Sequence, residues 1–302
     1  MVPAHPTGND MMTVSEAFAK FKGKISTPTE KETKDASRRQ REIRSVMDRT
    51  FHVQRDFLSG SYARWTKTKP LKDVDIFCVL GGEDQKYRDD DPSVILNEVS
   101  RIMGEEYGRD NVTIQTRSVG IAFKNAAEEE VMSFDVVTAF DADKHYEVPD
   151  TKSSEKWVKT DPEIHKDLAR DKHAAYSSEW KGLVRMVKTW NRHKQRPVKP
   201  SFLVEVMALE IFDGDFGGDY RYELKGFFST AADRIHDIWP DPAKLGPDVS
   251  MRMNTAEKDA AKIALRDASD QCLKAIQLEK AGRTGDALRV WQELFGAQFS
   301  MS

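Results

Sequence analysis

Cysteine is scarce in this sequence: Cys78 and Cys272 are the two present in 302 residues. Both sit inside apolar patterns, which argues against a disulfide framework and suits a reducing interior. Long apolar runs are missing too, so no membrane span is expected. The opening MVPAHPTGND has no charged region followed by an apolar one, as a secretory signal would. A cytoplasmic protein is expected. His5, His52, His145, His165, His173, His193 and His236 lack zinc-ligand spacing, so no zinc site is expected. Excess charge of one sign is absent as well. The formal net charge is -3, which leaves no global basic field for nucleic acid, so any anion site must be local.

What remains is a composition typical of a folded protein, on a chain long enough for one large domain or two lobes. Residues up to 27 read as irregular apart from the amphipathic SEAFAKF. A helix start follows, with Thr27 as cap, Pro28 in the first turn and Glu30 three residues after the cap. Its apolar residues are sparse (Ala36, Ile43, Val46, Met47), which predicts a helix lying along a surface. Its Arg38, Arg39, Arg41 and Arg44 read first as a solvated face. Strands are predicted over 74–80, 112–123 and 131–140, with a helix capped near Asp91 and stopped by Gly108. From about 150 the texture turns helical. TAEKDAAKIALRDASDQCLKAIQLEKAG lines up Ala264, Ala268, Cys272 and Ala275, and a last helix shows Leu288, Trp291 and Phe295. The expected fold is α+β in two lobes: a mixed-sheet lobe with a long N-terminal helix over 1–150 and a helical lobe over 151–302, with the active site in a cleft between them.

The chemistry concentrates at the head of VDIFCVL. Asp73 and Asp75, two apart on a strand, project to the same side, while Val74 and Ile76 enter the core. Two carboxylates so placed repel unless cations lie between them, and hard oxygen ligands favour Mg²⁺. Asp135 is a third acid, charged in the middle of the apolar run VMSFDVVTAF, where it needs a ligand or a partner. Gly60 and Ser61 precede the pair by a loop long enough to return to it; glycine admits close approach of a phosphate and serine adds a hydroxyl donor. Three carboxylates with two Mg²⁺ ions, Mn²⁺ substituting, form a device for nucleotidyl transfer from a bound nucleoside triphosphate. Arg64 and Lys67 are candidate phosphate contacts, against a plain reading as solvated loop residues.

GSYARWTKTKPLKDVDIFCVL, then FDVVTAF, HYEVPD, KWVKTDPEIH, LVRMVKTWNRHK and KPSFLVEVMALEIF resemble, in that order, the bacterial cGAS/DncV-like nucleotidyltransferases. That family belongs to the polymerase-β-like superfamily, with the oligoadenylate synthetases. The likeness runs from about residue 55 to 212, and the closing ALRVWQELFGAQF also fits. It implies synthesis of cyclic di- or trinucleotide second messengers from ATP and GTP in anti-phage (CBASS) defence. It also implies a possible regulatory protein partner and a downstream effector activated by the cyclic nucleotide. By position, the resemblance carries metal binding to Asp73, Asp75 and Asp135 and phosphate binding to Gly60 and Ser61. It carries a triphosphate contact to Lys188, a terminal-phosphate contact to Ser201 and base stacking to Phe202. Without it, Lys188 reads as a helix-surface lysine, Ser201 as a helix cap after Pro200, and Phe202 as core. Trp65 departs from the pattern, standing where many relatives have a small residue, which leaves Arg64 and Thr66 unassigned as ligands. The zinc ribbon of vertebrate members has no counterpart here.

Two kinds of rival share these residues. A linear oligoadenylate-synthetase-like, RNA-tailing or small-molecule nucleotidyltransferase would use the same carboxylates, though an RNA-tailing enzyme would carry a basic track. A non-catalytic nucleotide-binding or antitoxin module would retain the fold without turnover.

Overall fold

The computed structural model describes residues 12–26, 30–69 and 74–301. The chain begins with α1 (Val14–Ser26), α2 (Glu30–Thr50), β1 (Val53–Leu58), the short α3 (Gly60–Ala63) and β2 (Val74–Leu80). Then come α4 (Pro92–Tyr107), β3 (Val112–Ile114), β4 (Val119–Lys124), β5 (Glu130–Asp141), β6 (Tyr146–Pro149) and β7 (Trp157–Thr160). Helices α5 (Pro162–Ala175), α6 (Trp180–His193), α7 (Ser201–Ile211), α8 (Tyr220–Arg234), α9 (Thr255–Lys280) and α10 (Thr284–Phe295) follow. The chain divides into two compact units.

The sheet unit holds the described residues from 30 to 172 together with Pro240–Asp248. Its strands run β1-β2-β5-β4-β3, with β6 paired to β5 and β7 to β6. The β2–β5 pair is parallel and the other pairs are antiparallel, so the sheet is mixed, as expected. Val74, Ile76, Cys78 and Leu80 bury on one face among Ile43 and Met47 of α2 and Ile95, Val99 and Met103 of α4. Phe77 and Val79 bury on the other face with Ala139, Tyr146, Val148 and Val158. A strand covered on both faces reads as a nearly continuous apolar run, which is why VDIFCVL stands out. Helix α4 starts where expected: the Asp91 carboxylate accepts from Ser93 N at 3.1 Å, with Pro92 at the first position.

The helical unit holds the described residues up to 26, His173–Trp239 and residues 249–301. Phe18 of α1 meets Trp291 of α10 edge-on at 4.9 Å between centroids, and Phe21 packs on Phe295 at 4.7 Å. Glu179 accepts from Lys22 and from Tyr220 Oη (2.6 Å), fixing α1 on the polar side as well. Helix α9 opens with a capping box between Asn254 and Glu257. It buries Ala261, Leu265, Ala268, Cys272 and Ala275, while Ala264 is half-buried at the edge of the expected stripe. Leu288, Trp291 and Phe295 of α10 are buried as expected. Among the described residues no helix is long and apolar enough to cross a membrane.

Several sequence expectations need correction. The run 112–123 is two strands, because Gln115 N donates to Ser118 O at 2.8 Å and closes a turn between β3 and β4. β1, β6 and β7 were not expected; they are only four to six residues long, too short for a clear period. The segment before 27 contains a full helix rather than a short amphipathic piece, and it buries Val14, Ala17, Phe18, Phe21 and Ile25. The division at 150 also shifts. Residues 151–172 and 240–248 belong with the sheet, and α1 belongs with the helices, because each buries its apolar or pairing groups there. Asp241 illustrates this, accepting from Gly246 N and lying 2.6 Å from His165 Nε2 within the sheet unit. Thr27 and Pro28, the expected helix cap, lie outside the described residues.

Candidate active site

The site grows from the pairing of β2 with β5. These strands are parallel and in register, Asp75 opposite Asp135, so both side chains leave the same face of neighbouring strands about 4.8 Å apart. They share that face with Phe77, Val79 and Ala139, which are buried further along, while both acids are half-buried, Asp75 near the start of β2 and Asp135 in the middle of β5. Asp73 lies outside the described residues.

Behind Asp75 comes a tight turn. Ser59 N donates to Asp75 O at 2.9 Å, and Gly60 then adopts φ +63° to open α3. A Cβ on Gly60 would fall 1.7 Å from Asp75 Oδ2, so only glycine lets this turn close against the carboxylate. The turn is tied down by Arg64 N to Gly60 O (3.2 Å) and Thr66 N to Ser61 O (3.0 Å). Arg64 and Thr66 are buried rather than solvated, while Trp65, at φ +59°, is 67% exposed. The bulk of Trp65 therefore points to solvent, and the loop around it keeps its hydrogen bonds.

On the other side of β5, Gly120 of β4 stands opposite Asp135 in the antiparallel register. Gln115 Nε2 donates to Asp135 Oδ1 at 2.8 Å, and Ser118 Oγ donates to Gln115 Oε1 at 3.2 Å.

The donor set suits a hard divalent cation. Two carboxylates converge on one face, and their mutual repulsion is relieved by a cation held between them. Among the described residues no group of three or more His, Cys, Asp or Glu assembles for a metal, and the third acid expected from sequence is Asp73. Cys78 and Cys272 are buried free thiols, and burial pushes the Cys78 thiol up to about 12.

Residues 12–172 match the model of the Second Messenger Oligonucleotide or Dinucleotide Synthetase domain. The chain belongs to this family. This synthetase is 25% identical over 274 residues to a probable cyclic nucleotide synthase of Bacillus cereus, covering 80% of each protein. It is 25% identical over 268 residues to a cyclic AMP-AMP-AMP synthase of Acinetobacter, covering 82% of this chain and 73% of that one. Its fold matches that of E. coli CdnC, solved in complex with HORMA-deltaN, with a TM-score of 0.71 and 20% identity over 97% of this chain and 100% of that one.

The remaining residues of interest in the synthetase lie in the helical unit. Lys188 is no surface lysine: it is buried on α6, with Nζ 2.5 Å from Glu205 Oε1 of α7, itself buried. Ser201 is exposed at the first position of α7, and the cap position is Pro200, not Ser201. Phe202 is half-buried rather than core. Sequence reasoning missed Gln115, Ser118 and Gly120; a glycine inside the strand pattern VGIAF was the available signal of a close approach.

Proposed function

We propose that this synthetase joins ATP, alone or with GTP, into a cyclic di- or trinucleotide second messenger that serves anti-phage defence in the cytoplasm. The shared register of Asp75 and Asp135 carries this reading, because it places two hard acids side by side where a nucleotidyl transfer needs them. A ribose hydroxyl of one nucleotide attacks the α-phosphorus of another. The new O–P bond forms as the α–β bridge breaks, and pyrophosphate leaves. Asp73, Asp75 and Asp135 would hold Mg²⁺, two ions in all, with Mn²⁺ as a substitute. When bound, these ions supply neutralisation of polyphosphate charge and acidify the attacking hydroxyl. Asp135 is the acid proposed to receive the hydroxyl proton. The backbone N–H groups of Gly60 and Ser61, at the start of α3, and the Ser61 hydroxyl are the proposed donors to the departing pyrophosphate. Lys188, Ser201 and Phe202 are the proposed contacts to the triphosphate, its terminal phosphate and a base. A regulatory protein is proposed by analogy with CdnC, which was solved with a HORMA partner. The downstream receptor would be an effector that the cyclic product activates.

The test is product analysis. Purified protein is incubated with labelled ATP and GTP, singly and mixed, with Mg²⁺, and the products are treated with phosphatase and weighed by mass spectrometry. Phosphatase-resistant label of cyclic mass supports the reading. Products with phosphatase-sensitive ends would mark a linear polymerase, and no pyrophosphate from any mixture would mark a binding module.

A further inference from the structure

We propose that Gln115 is the positioning residue for Asp135, setting the orientation in which that carboxylate meets a divalent cation. The inference rests on the nucleotidyltransferase reading of the same site. Three observations converge on it. The Gln115 amide donates to one oxygen only, Oδ1, at 2.8 Å. The amide is itself oriented: Ser118 Oγ, on a 6% exposed residue, donates to Oε1 at 3.2 Å and thereby assigns Nε2 to the Asp135 side. The turn that carries both is closed by Gln115 N to Ser118 O.

Gly120 makes room for this arrangement. A Cβ there would lie 2.7 Å from Gln115 Nε2 and 3.2 Å from Asp135 Oδ1. Since the backbone of Gly120 is ordinary β-strand, the glycine is there for space and not for φ. Because β5 has β4 on one side and β2 on the other, holding Oδ1 on the β4 side turns Oδ2 away from β4. A carboxylate pinned in this way presents one chosen oxygen to a cation instead of rotating between two. Partners that orient a ligating side chain in this manner alter metal affinity about 10- to 100-fold when removed. Gln115 is exposed, so water competes for the bond and the lower end of that range is expected.

The experiment titrates Mn²⁺ into the full chain with a non-hydrolysable ATP analogue and follows free Mn²⁺ by electron paramagnetic resonance. Wild type, Gln115→Ala, Gly120→Ala and Ser118→Ala are compared, with melting temperatures measured in parallel. Gln115→Ala and Gly120→Ala are each expected to weaken Mn²⁺ binding about 10-fold, and Ser118→Ala by less. Metal-free affinity for the analogue and the melting temperature of Gln115→Ala should stay at wild-type values. Mn²⁺ affinity within 2-fold of wild type in both Gln115→Ala and Gly120→Ala overturns the inference while leaving the enzyme reading intact. A loss that appears only alongside a lowered melting temperature also overturns it, since Gln115 would then be holding the hairpin. If wild type itself binds no Mn²⁺ with the analogue, both readings fall together.

Discussion

Gly60 and Asp75 are in a contact that only the smallest residue permits: a methyl group on Gly60 would sit 1.7 Å from Asp75 Oδ2. Gly60→Ala must therefore either displace the carboxylate or unwind the start of α3. The left-handed backbone alone costs an L residue about 1–2 kcal/mol, and the clash adds to it. Pyrophosphate release should fall by at least ~10²-fold, more than the melting temperature would suggest. A variant with near-normal turnover would show that the turn does not need to close on Asp75.

Removing either acid of the pair should cut turnover sharply without unfolding the protein. Asp75→Asn and Asp135→Asn are each expected to lower the rate about 10²–10³-fold, with melting temperatures within about 3 °C of wild type. Because the acids act together, the double variant should be no worse than either single one. A double variant whose rate is the product of the two single losses would mean that the acids work independently.

The buried pair of Lys188 and Glu205 makes a different prediction. Lys188→Ala removes the buried cation 2.5 Å from the Glu205 carboxylate and should cost about 3–5 kcal/mol in urea unfolding. Lys188→Met combined with Glu205→Leu should recover most of that stability, since an apolar pair of similar volume replaces an ion pair with little net loss. ATP affinity then separates the roles. If Lys188 also touches the triphosphate, the stable double variant binds ATP more weakly than wild type; equal affinity assigns Lys188 to packing alone.

Asp241 gives a pH dependence whose sign follows from its surroundings. Burial raises the carboxyl pKa, but the His165 ring and the N–H groups of Gly246 and Leu245 outweigh it and hold the carboxyl below its usual range. A depressed carboxyl pKa adds stability that is fully present above the unfolded value, near 3.9, and is lost as pH falls through the lower folded value. The carboxyl's contribution to the stability difference between wild type and Asp241→Asn should therefore shrink towards zero as pH falls from the unfolded value through the folded one. Amide exchange at Leu245 and Gly246 should speed up in the variant. A difference that persists unchanged below pH 3 would assign the effect to packing instead.

The parts readable from sequence are those where one strong local pattern decides. VDIFCVL and VMSFDVVTAF are strands buried by their own apolar content, and an acid inside such a run stands out because its burial is costly. Asp91-Pro92 marks a helix start by side-chain chemistry alone. Other features are decided elsewhere in the chain. β6 and β7 are too short to declare a period, and exist because β5 offers β6 an edge. Lys188 reads as exposed until α7 brings Glu205 beside it, seventeen residues away. Gln115, one polar residue among others in QTRS, gains meaning only when the β3–β4 turn faces β5. The break at 150 misled because composition changes there while strand pairing continues to Thr160.

The helical unit draws its residues from both ends of the chain, with Phe18 and Phe21 sealed under Trp291, Phe295 and Phe299. During synthesis, then, α1 leaves the ribosome well before α10, which covers it. The sheet unit, nearly continuous from 30 to 172, is free to close while its C-terminal partners are still being translated. Helix α10 and Phe299 complete the shelter of α1, so a chain cut before Trp291 exposes aromatic surface on α1, far from the cut.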